Sequence, residues 1–343
     1  MKAYRLLEWQ KPPELVDIEV PEPGPGQVLV RVGGSGACHS DIHLMKWPGG
    51  MLPWELPFTL GHEPAGWVEA VGPGVEGLEI GEPVAVYGSW GCGRCTMCRQ
   101  GLETLCEAVP WMGNGGAGLG HDGGMAEYIL VPSSRFVVPL YELDPHEAAP
   151  LGDAALTPYR AIKRHLHLLV PGSAAVVIGV GGLGHLAIQI LHALTPAKVV
   201  AVDISERKLE VARSLGVHSA VTPQHAQEAV QEATGGKGAE LVLDIVGSNE
   251  SMALGVRLLR KLGAFALVGL AMGSVTLNFM AVPTEASFTT CYWGSLPEFV
   301  EVIELARAGK IRVHVEKFSL DDVAKAYEKL EKGEIEGRAV IVP

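Results

Sequence analysis

Cys92, Cys95, Cys98 and Cys106 fall within fifteen residues, in the run GCGRCTMCRQGLETLC. The spacing C-x2-C-x2-C-x7-C lets four thiolates close a tetrahedral shell around Zn2+, which leaves no position for substrate and makes the lobe structural. Glycines at 91, 93 and 101 let the backbone turn tightly about such an ion. A second set of metal-type residues is dispersed along the chain. Cys38 opens CHSDIH, His62 lies in GHE, and Asp153 lies in PLGDAALTPY. Thiolate, imidazole and carboxylate together suit a borderline-soft ion, and three protein ligands would leave a fourth position open to water or a substrate oxygen. Each residue type also has an ordinary structural use. Cysteine serves as a small buried hydrophobe, as Cys291 is read here, and histidine and aspartate serve in packing and capping.

The third pattern is Gly179-Val180-Gly181-Gly182-Leu183-Gly184, which follows the apolar run AAVVI and opens the helical pattern LGHLAIQILHAL. In that context GxGxxG predicts a pyrophosphate cradle, because glycines permit close backbone approach and a helix N-terminus offers free N–H groups. Asp203 ends the next strand, VVAVD, 24 residues after Gly179. A carboxylate there accepts hydrogen bonds from a ribose. It would repel a 2'-phosphate by roughly 4 kcal/mol per charge pair at about 4 Å and an effective dielectric near 20, which favours NAD over NADP.

The elements that must hold these residues change character along the chain. Residues 1–153 read as short strands and turns of β-barrel texture, with strands at 28–32, 66–71 and 83–87 and the cysteine lobe at 88–112. From 154 to 293, strand patterns at 174–178, 198–202, 219–221, 241–245, 264–268 and 286–290 alternate with helical ones such as 183–194 and 205–215. That alternation predicts an α/β, doubly wound parallel sheet covered on both faces. Residues 294–343 predict helix, strand, helix (320–332) and a last strand, and are expected to return to the first domain.

A chain of 343 residues with 48% hydrophobic and 19% charged residues is expected to be compact and two-domained. Its net charge of -12 argues against a nucleic-acid partner. It shows no apolar run of membrane-spanning length and no signal-peptide pattern, and free thiols at metal spacing point to a reducing, cytoplasmic setting.

The ordered set CHSDIH, GHE, the cysteine lobe, D-x3-L-T-P-Y and GVGGLG closely resembles the zinc-dependent medium-chain alcohol dehydrogenases, and within them the short bacterial branch acting on secondary and medium-sized alcohols. The resemblance spans essentially the whole chain. It implies a GroES-like barrel carrying two zinc ions, one catalytic and one structural, and a Rossmann domain binding NAD. It implies reversible hydride transfer between NAD and a primary or secondary alcohol, giving an aldehyde or ketone. Cys38, His62 and Asp153 would hold the catalytic ion. Glu63 would stand close behind it, and Asp41 would bond the far nitrogen of His62. Ser40 would meet the alcohol oxygen and His43 would relay its proton. His39 and Arg338 would meet the pyrophosphate, Lys208 the ribose with Asp203, and the backbone of Val268-Gly269-Leu270 the nicotinamide amide. Asp153 stands where the best-known animal enzymes have cysteine, a change many bacterial members share. The resemblance also implies a homodimer or homotetramer, with a seam around 264–290.

Apolar candidates for the substrate pocket are Trp54, Trp111, Leu119, Tyr292 and Trp293. Few charges accompany them, so a small uncharged alcohol, ketone or aldehyde is the expected substrate. The competing reading is a polyol or threonine dehydrogenase of the same superfamily. A cofactor-binding protein without catalysis is disfavoured by the intact Cys38, His62, Asp153, Ser40 and His43.

Overall fold

The computed structural model describes residues 1–50, 52–108 and 115–343. The chain divides into two compact units: residues 1–153 with 293–307 and 313–343, and residues 154–292 with 308–312.

In the first unit the central strand is Val28–Gly36, which pairs antiparallel with Glu63–Val71, Tyr128–Val131 and Arg338–Val342. Pro83–Val86 and Val137–Pro139 extend the sheet on one side and Val315–Ser319 on the other. The pairing of Val28–Gly36 with Glu63–Val71 shifts register twice. Such bulges bend and twist a strand, which lets a sheet curl round an apolar interior. Val30, Ala65, Val68, Val86, Ile129 and Val340 fill that interior. A smaller sheet joins Glu14–Asp17, Lys2–Leu6 and Phe58–Thr59.

The second unit holds six parallel strands in the order Ser219–Val221, Lys198–Val202, Ala174–Ile178, Ala239–Asp244, Leu259–Leu267 and Ser287–Thr290. In chain order this is 3-2-1-4-5-6, the doubly wound arrangement whose ligand crevice opens at the carboxyl ends where the strand order reverses. The strands are apolar on both faces; Val176, Val200, Val242 and Phe265 share one core with Val230 and Leu258 from the covering helices. Five of the six strands match the predicted positions within two residues. The fifth begins earlier, at Leu259, because Leu259 pairs with Ala239 across a register shift. Among the described residues no helix is long and apolar enough to cross a membrane.

Candidate active site

The strand Val28–Gly36 delivers the first ligand candidate. Gly36 lies opposite Glu63, and a Cβ at Gly36 would stand 1.6 Å from Glu63 Oε2, so only glycine admits the Glu63 carboxylate there. Two residues on, Cys38 caps the helix His39–Lys46. Its backbone N–H donates to Asp41 Oδ2 at 2.9 Å. His62 immediately precedes Glu63, after Gly61 at φ +96°. Asp153 follows the short 3-10 turn Ala149–Gly152.

These segments bring the Cys38, His62 and Asp153 ligand atoms within 4.8 Å of one another. Asp153 Oδ2 lies 4.0 Å from Cys38 Sγ and 3.5 Å from His62 Nε2. His62 Nδ1 faces Asp41 Oδ1 at 3.0 Å. Burial opposes protonation of His62, but Asp41 and Asp153, with Cys38, outweigh it and hold its pKa well above the usual histidine range. The donor set thus draws positive charge into a buried pocket. Behind it, Arg338 grips Glu63 with both arms, at 2.9 and 2.7 Å, and lies 3.6 Å from Asp153. Burial raises the Glu63 pKa, against the pull of Arg338. The Arg338 side chain is 3% exposed, so in this structure its fork serves Glu63, whereas the resemblance assigns it to a pyrophosphate.

Around the cluster, Ser40 Oγ stands 3.5 Å from Cys38 Sγ. His43 is half-buried with no hydrogen-bond partner on Nδ1, and His39 is exposed. Trp293 sets its ring 5.8 Å from that of His62 at 78°. Trp54 and Leu119 are also buried in this unit, with Trp54 edge-on to Phe58 and tight against Gly120. Tyr292 is half-buried and belongs to the second unit. Trp111 lies outside the described residues. Among the described residues a cleft of about 610 Å³ opens elsewhere in the first unit, lined by Thr59, Trp90, Cys92, His121, Tyr128 and Arg135 among others, and none of the three ligand candidates borders it.

The sulfurs of Cys92, Cys95, Cys98 and Cys106 form the other cluster, also within 4.8 Å. Backbone N–H groups point at them: Cys92 N–H donates to Cys106 Sγ at 3.4 Å and Cys98 N–H to Cys95 Sγ at 3.4 Å. Backbone donors of Arg94 and Cys95 pull the Cys92 thiol down to about 6, while burial pushes Cys98 up to about 12. Holding all four sulfurs as thiolates would take a cation among them. Arg135 braces the lobe through Glu103 at 3.1 Å.

In the second unit the candidate cofactor residues gather at the carboxyl ends of the strands. Gly179 has φ +93°. A Cβ at Gly184 would lie 1.9 Å from Gly179 O, so the helix Gly184–Leu194 packs onto the turn only with glycine there. Gly181, Gly182 and Leu183 form the partly exposed bend. Asp203 accepts Val180 N–H at 2.7 Å and Ser205 N–H at 2.9 Å. It pins the glycine loop itself, a role the spacing alone does not reveal. Lys208 is half-buried on Glu206–Ser214. Val268 and Gly269 donate to Asp244 O at 2.9 and 3.0 Å, and Leu270 is 39% exposed.

Two residues of these networks carry no sequence motif. Asp244 is fully buried and accepts Val246 N–H, Gly247 N–H and Ser251 O–H, each at 2.9 Å; an aspartate ending a strand before x-x-Gly-Ser was the available signal. Tyr327 donates to Asp41 Oδ2 at 3.0 Å from 286 residues away, and no local pattern marks it.

Known proteins place the chain in a family. Residues 24–142 match the alcohol dehydrogenase GroES-like domain, and residues 182–308 match the zinc-binding dehydrogenase domain. The NAD-dependent alcohol dehydrogenase of Sulfurisphaera tokodaii is 36% identical over 100% of both chains. The D-arabinose 1-dehydrogenase (NADP(+)) of Saccharolobus solfataricus is 35% identical over 100% of this chain and 97% of its own. The crystal structure of the alcohol dehydrogenase from Aeropyrum pernix shares 38% identity and a TM-score of 0.91, covering 100% of both chains. The chain belongs to the zinc-type medium-chain alcohol dehydrogenase family, with a GroES-like and a Rossmann fold.

Proposed function

We propose that this protein reversibly oxidises small uncharged primary and secondary alcohols to aldehydes and ketones, with zinc at Cys38, His62 and Asp153 and NAD as hydride acceptor. The observation that carries the reading is the convergence of thiol, imidazole and carboxylate within 4.8 Å, backed by the buried Asp41 contact to His62. The donor set fits the ion. Bonds of about 2.0–2.3 Å at tetrahedral angles separate ligand atoms by roughly 3.3–3.8 Å, close to the distances found. When bound, zinc supplies Lewis acidity that lowers the pKa of the alcohol hydroxyl, and NAD supplies the hydride acceptor at C4 of its nicotinamide.

The rest is the work of this chain's side chains. Ser40 Oγ, beside Cys38, takes the hydrogen bond of the alcohol O–H. His43, half-buried and with Nδ1 buried and unpartnered, moves that proton outward. Asp41 fixes the His62 tautomer. Arg338 neutralises Glu63, which would otherwise crowd the site with a third buried carboxylate. Trp293 covers the His62 edge and keeps water off, and Trp54 and Leu119 supply further apolar wall. In the cofactor unit, Gly179–Gly184 cradle the pyrophosphate. Asp203 and Lys208 take the adenosine ribose, and the Val268–Leu270 backbone takes the nicotinamide amide. Cys92, Cys95, Cys98 and Cys106 hold a second, structural zinc. Residues 1–153 with 293–307 and 313–343 form the catalytic domain, 154–292 with 308–312 the NAD domain, and the enzyme works in the cytoplasm as a homodimer or a tetramer built from it.

A second reading, a sugar or polyol dehydrogenase, is favoured by the likeness to the D-arabinose enzyme. NADH formation across a panel of simple alcohols, sugars and polyols, with and without chelator, tests both. Turnover of simple secondary alcohols that chelator abolishes supports the first; turnover restricted to sugars or polyols replaces it with the second.

A further inference from the structure

We infer that Tyr327 is a positioning residue of the Cys38–His62–Asp153 centre, acting through Asp41. The inference rests on reading that centre as a metal site.

Asp41 holds two of the three ligand residues at once. Oδ1 faces His62 Nδ1 at 3.0 Å, and Oδ2 accepts the backbone N–H of Cys38 at 2.9 Å. The orientation of the imidazole and the start of the helix that carries Cys38 therefore depend on one carboxylate. Asp41 is fully buried, His62 is 2% exposed and Cys38 6%, so water does not substitute for a lost partner. Held by those two bonds alone, the Asp41 carboxylate could still twist about its Cβ–Cγ bond.

Tyr327 removes that freedom. It sits on the helix Val323–Glu331, is 6% exposed, and donates its hydroxyl to Asp41 Oδ2 at 3.0 Å. The other acceptor in reach is Met125 Sδ at 3.2 Å. A carboxylate is much the stronger acceptor, because a hydrogen bond to an ionised group is roughly twice as strong as a neutral one, and a thioether is a weak acceptor. The ring is itself fixed by stacking on Tyr4, with centroids 6.4 Å apart. A chain thus runs from the C-terminal helix through the Tyr327 O–H and Asp41 to both His62 and Cys38. Partners of this kind behind metal ligands typically change metal affinity by 10–100-fold when removed.

The test uses the full-length metal-loaded protein and Tyr327→Phe, which keeps the stacked ring and deletes only the hydroxyl. Zinc affinity at the Cys38 centre is measured by competition with a chromophoric chelator, and Co2+ is exchanged in to record its thiolate charge-transfer band. We expect about 10-fold weaker metal binding, a shifted cobalt band, and no change in the zinc held by the cysteine lobe. Thermal unfolding of the apo protein separates this from general loosening. A double-mutant cycle with Asp41→Asn supplies the second arm: if Tyr327 acts through Asp41, its loss adds nothing further once Asp41 is changed. Unchanged affinity and an unchanged cobalt spectrum in Tyr327→Phe overturn the inference, as does full additivity with Asp41→Asn. If the wild-type protein holds no ion that Cys38→Ser releases, the metal-site reading and this inference fall together. An ion bound alike by wild type and Tyr327→Phe removes this inference alone.

Discussion

His43 is held in the form a proton relay needs. Burial, then the nearby Lys46 charge, keep its pKa below the usual histidine value, which favours the neutral ring, and Nδ1 is buried with no hydrogen-bond partner. Replacement by alanine should slow alcohol oxidation about 10-fold at neutral pH while both metals stay bound. The deficit should shrink as pH rises and hydroxide takes over the proton. Cys38→Ser, by contrast, should lose the catalytic ion and nearly all turnover. Metal analysis and pH–rate profiles of the two variants separate relay from ligand; zinc loss in His43→Ala would reverse the assignment. Asp203 makes a contact that the sequence did not show. The spacing from Gly179 predicts the ribose contact, but the bond to Val180 N–H, made 23 residues away, appears only in the fold. Asp203→Gly combined with Ile204→Arg should raise the NADP:NAD ratio of kcat/KM by about 100-fold. It should also weaken both cofactors, because the glycine loop loses its anchor. A wild-type enzyme that already prefers NADP would end the Asp203 argument.

Elements were legible where their signal is local. The strand AAVVI, the glycine turn and the helix after it lie contiguously, and the parallel sheet follows from repeated apolar runs. Less was legible at the ends of elements, where one residue organises the turn after its own strand and the turn after the next. Asp244 is the example: its carboxylate shapes the turn after its own strand while its carbonyl holds Val268 and Gly269 after the neighbouring one. Gly269 fits so closely that a Cβ would lie 2.1 Å from Val246 C. If that pair of turns reads the nicotinamide amide, Asp244→Ala should weaken NADH binding about 10-fold or more, through loss of several buried hydrogen bonds. ADP-ribose, which lacks the nicotinamide, should bind nearly as before. Titration of both ligands decides, and equal weakening of the two would mean Asp244 merely supports the fold. With zinc among its four sulfurs, the cysteine lobe would be the opposite kind of element, one ordered by its ion. Cys95→Ser should lower the thermal midpoint and release one zinc, with little change in kcat of the molecules still folded. A variant that keeps both ions and its stability would rule out a structural zinc there.

At the scale of the whole molecule, the C-terminal segment was the hardest to read. Residues 315–319 and 338–342 are short strands of ordinary composition, yet Tyr327 and Arg338 reach back 286 and 275 residues to Asp41 and Glu63. Such contacts leave no spacing rule, because loop closure sets the pairing and not the sequence between. The outer surface of the second unit gives a different kind of signal. Its sheet ends on Ser287–Thr290, a strand paired on one side only among the described residues. Just before it Met272, Leu277, Phe279 and Met280 are 70, 51, 93 and 87% exposed. An open edge beside several exposed large apolar residues is an aggregation hazard in a monomer and a ready seam in a two-fold dimer, where the same strand meets its own copy. A stable seam buries on the order of 1,600 Å² in total, with energy concentrated in a few large apolar side chains. Phe279→Lys together with Met280→Lys should therefore shift the protein toward smaller assemblies, read by sedimentation velocity at micromolar concentration. The cysteine-lobe zinc and the far-UV circular dichroism should not change. A wild-type protein that sediments as a monomer, or a double variant that sediments as the wild type does, would place the seam elsewhere.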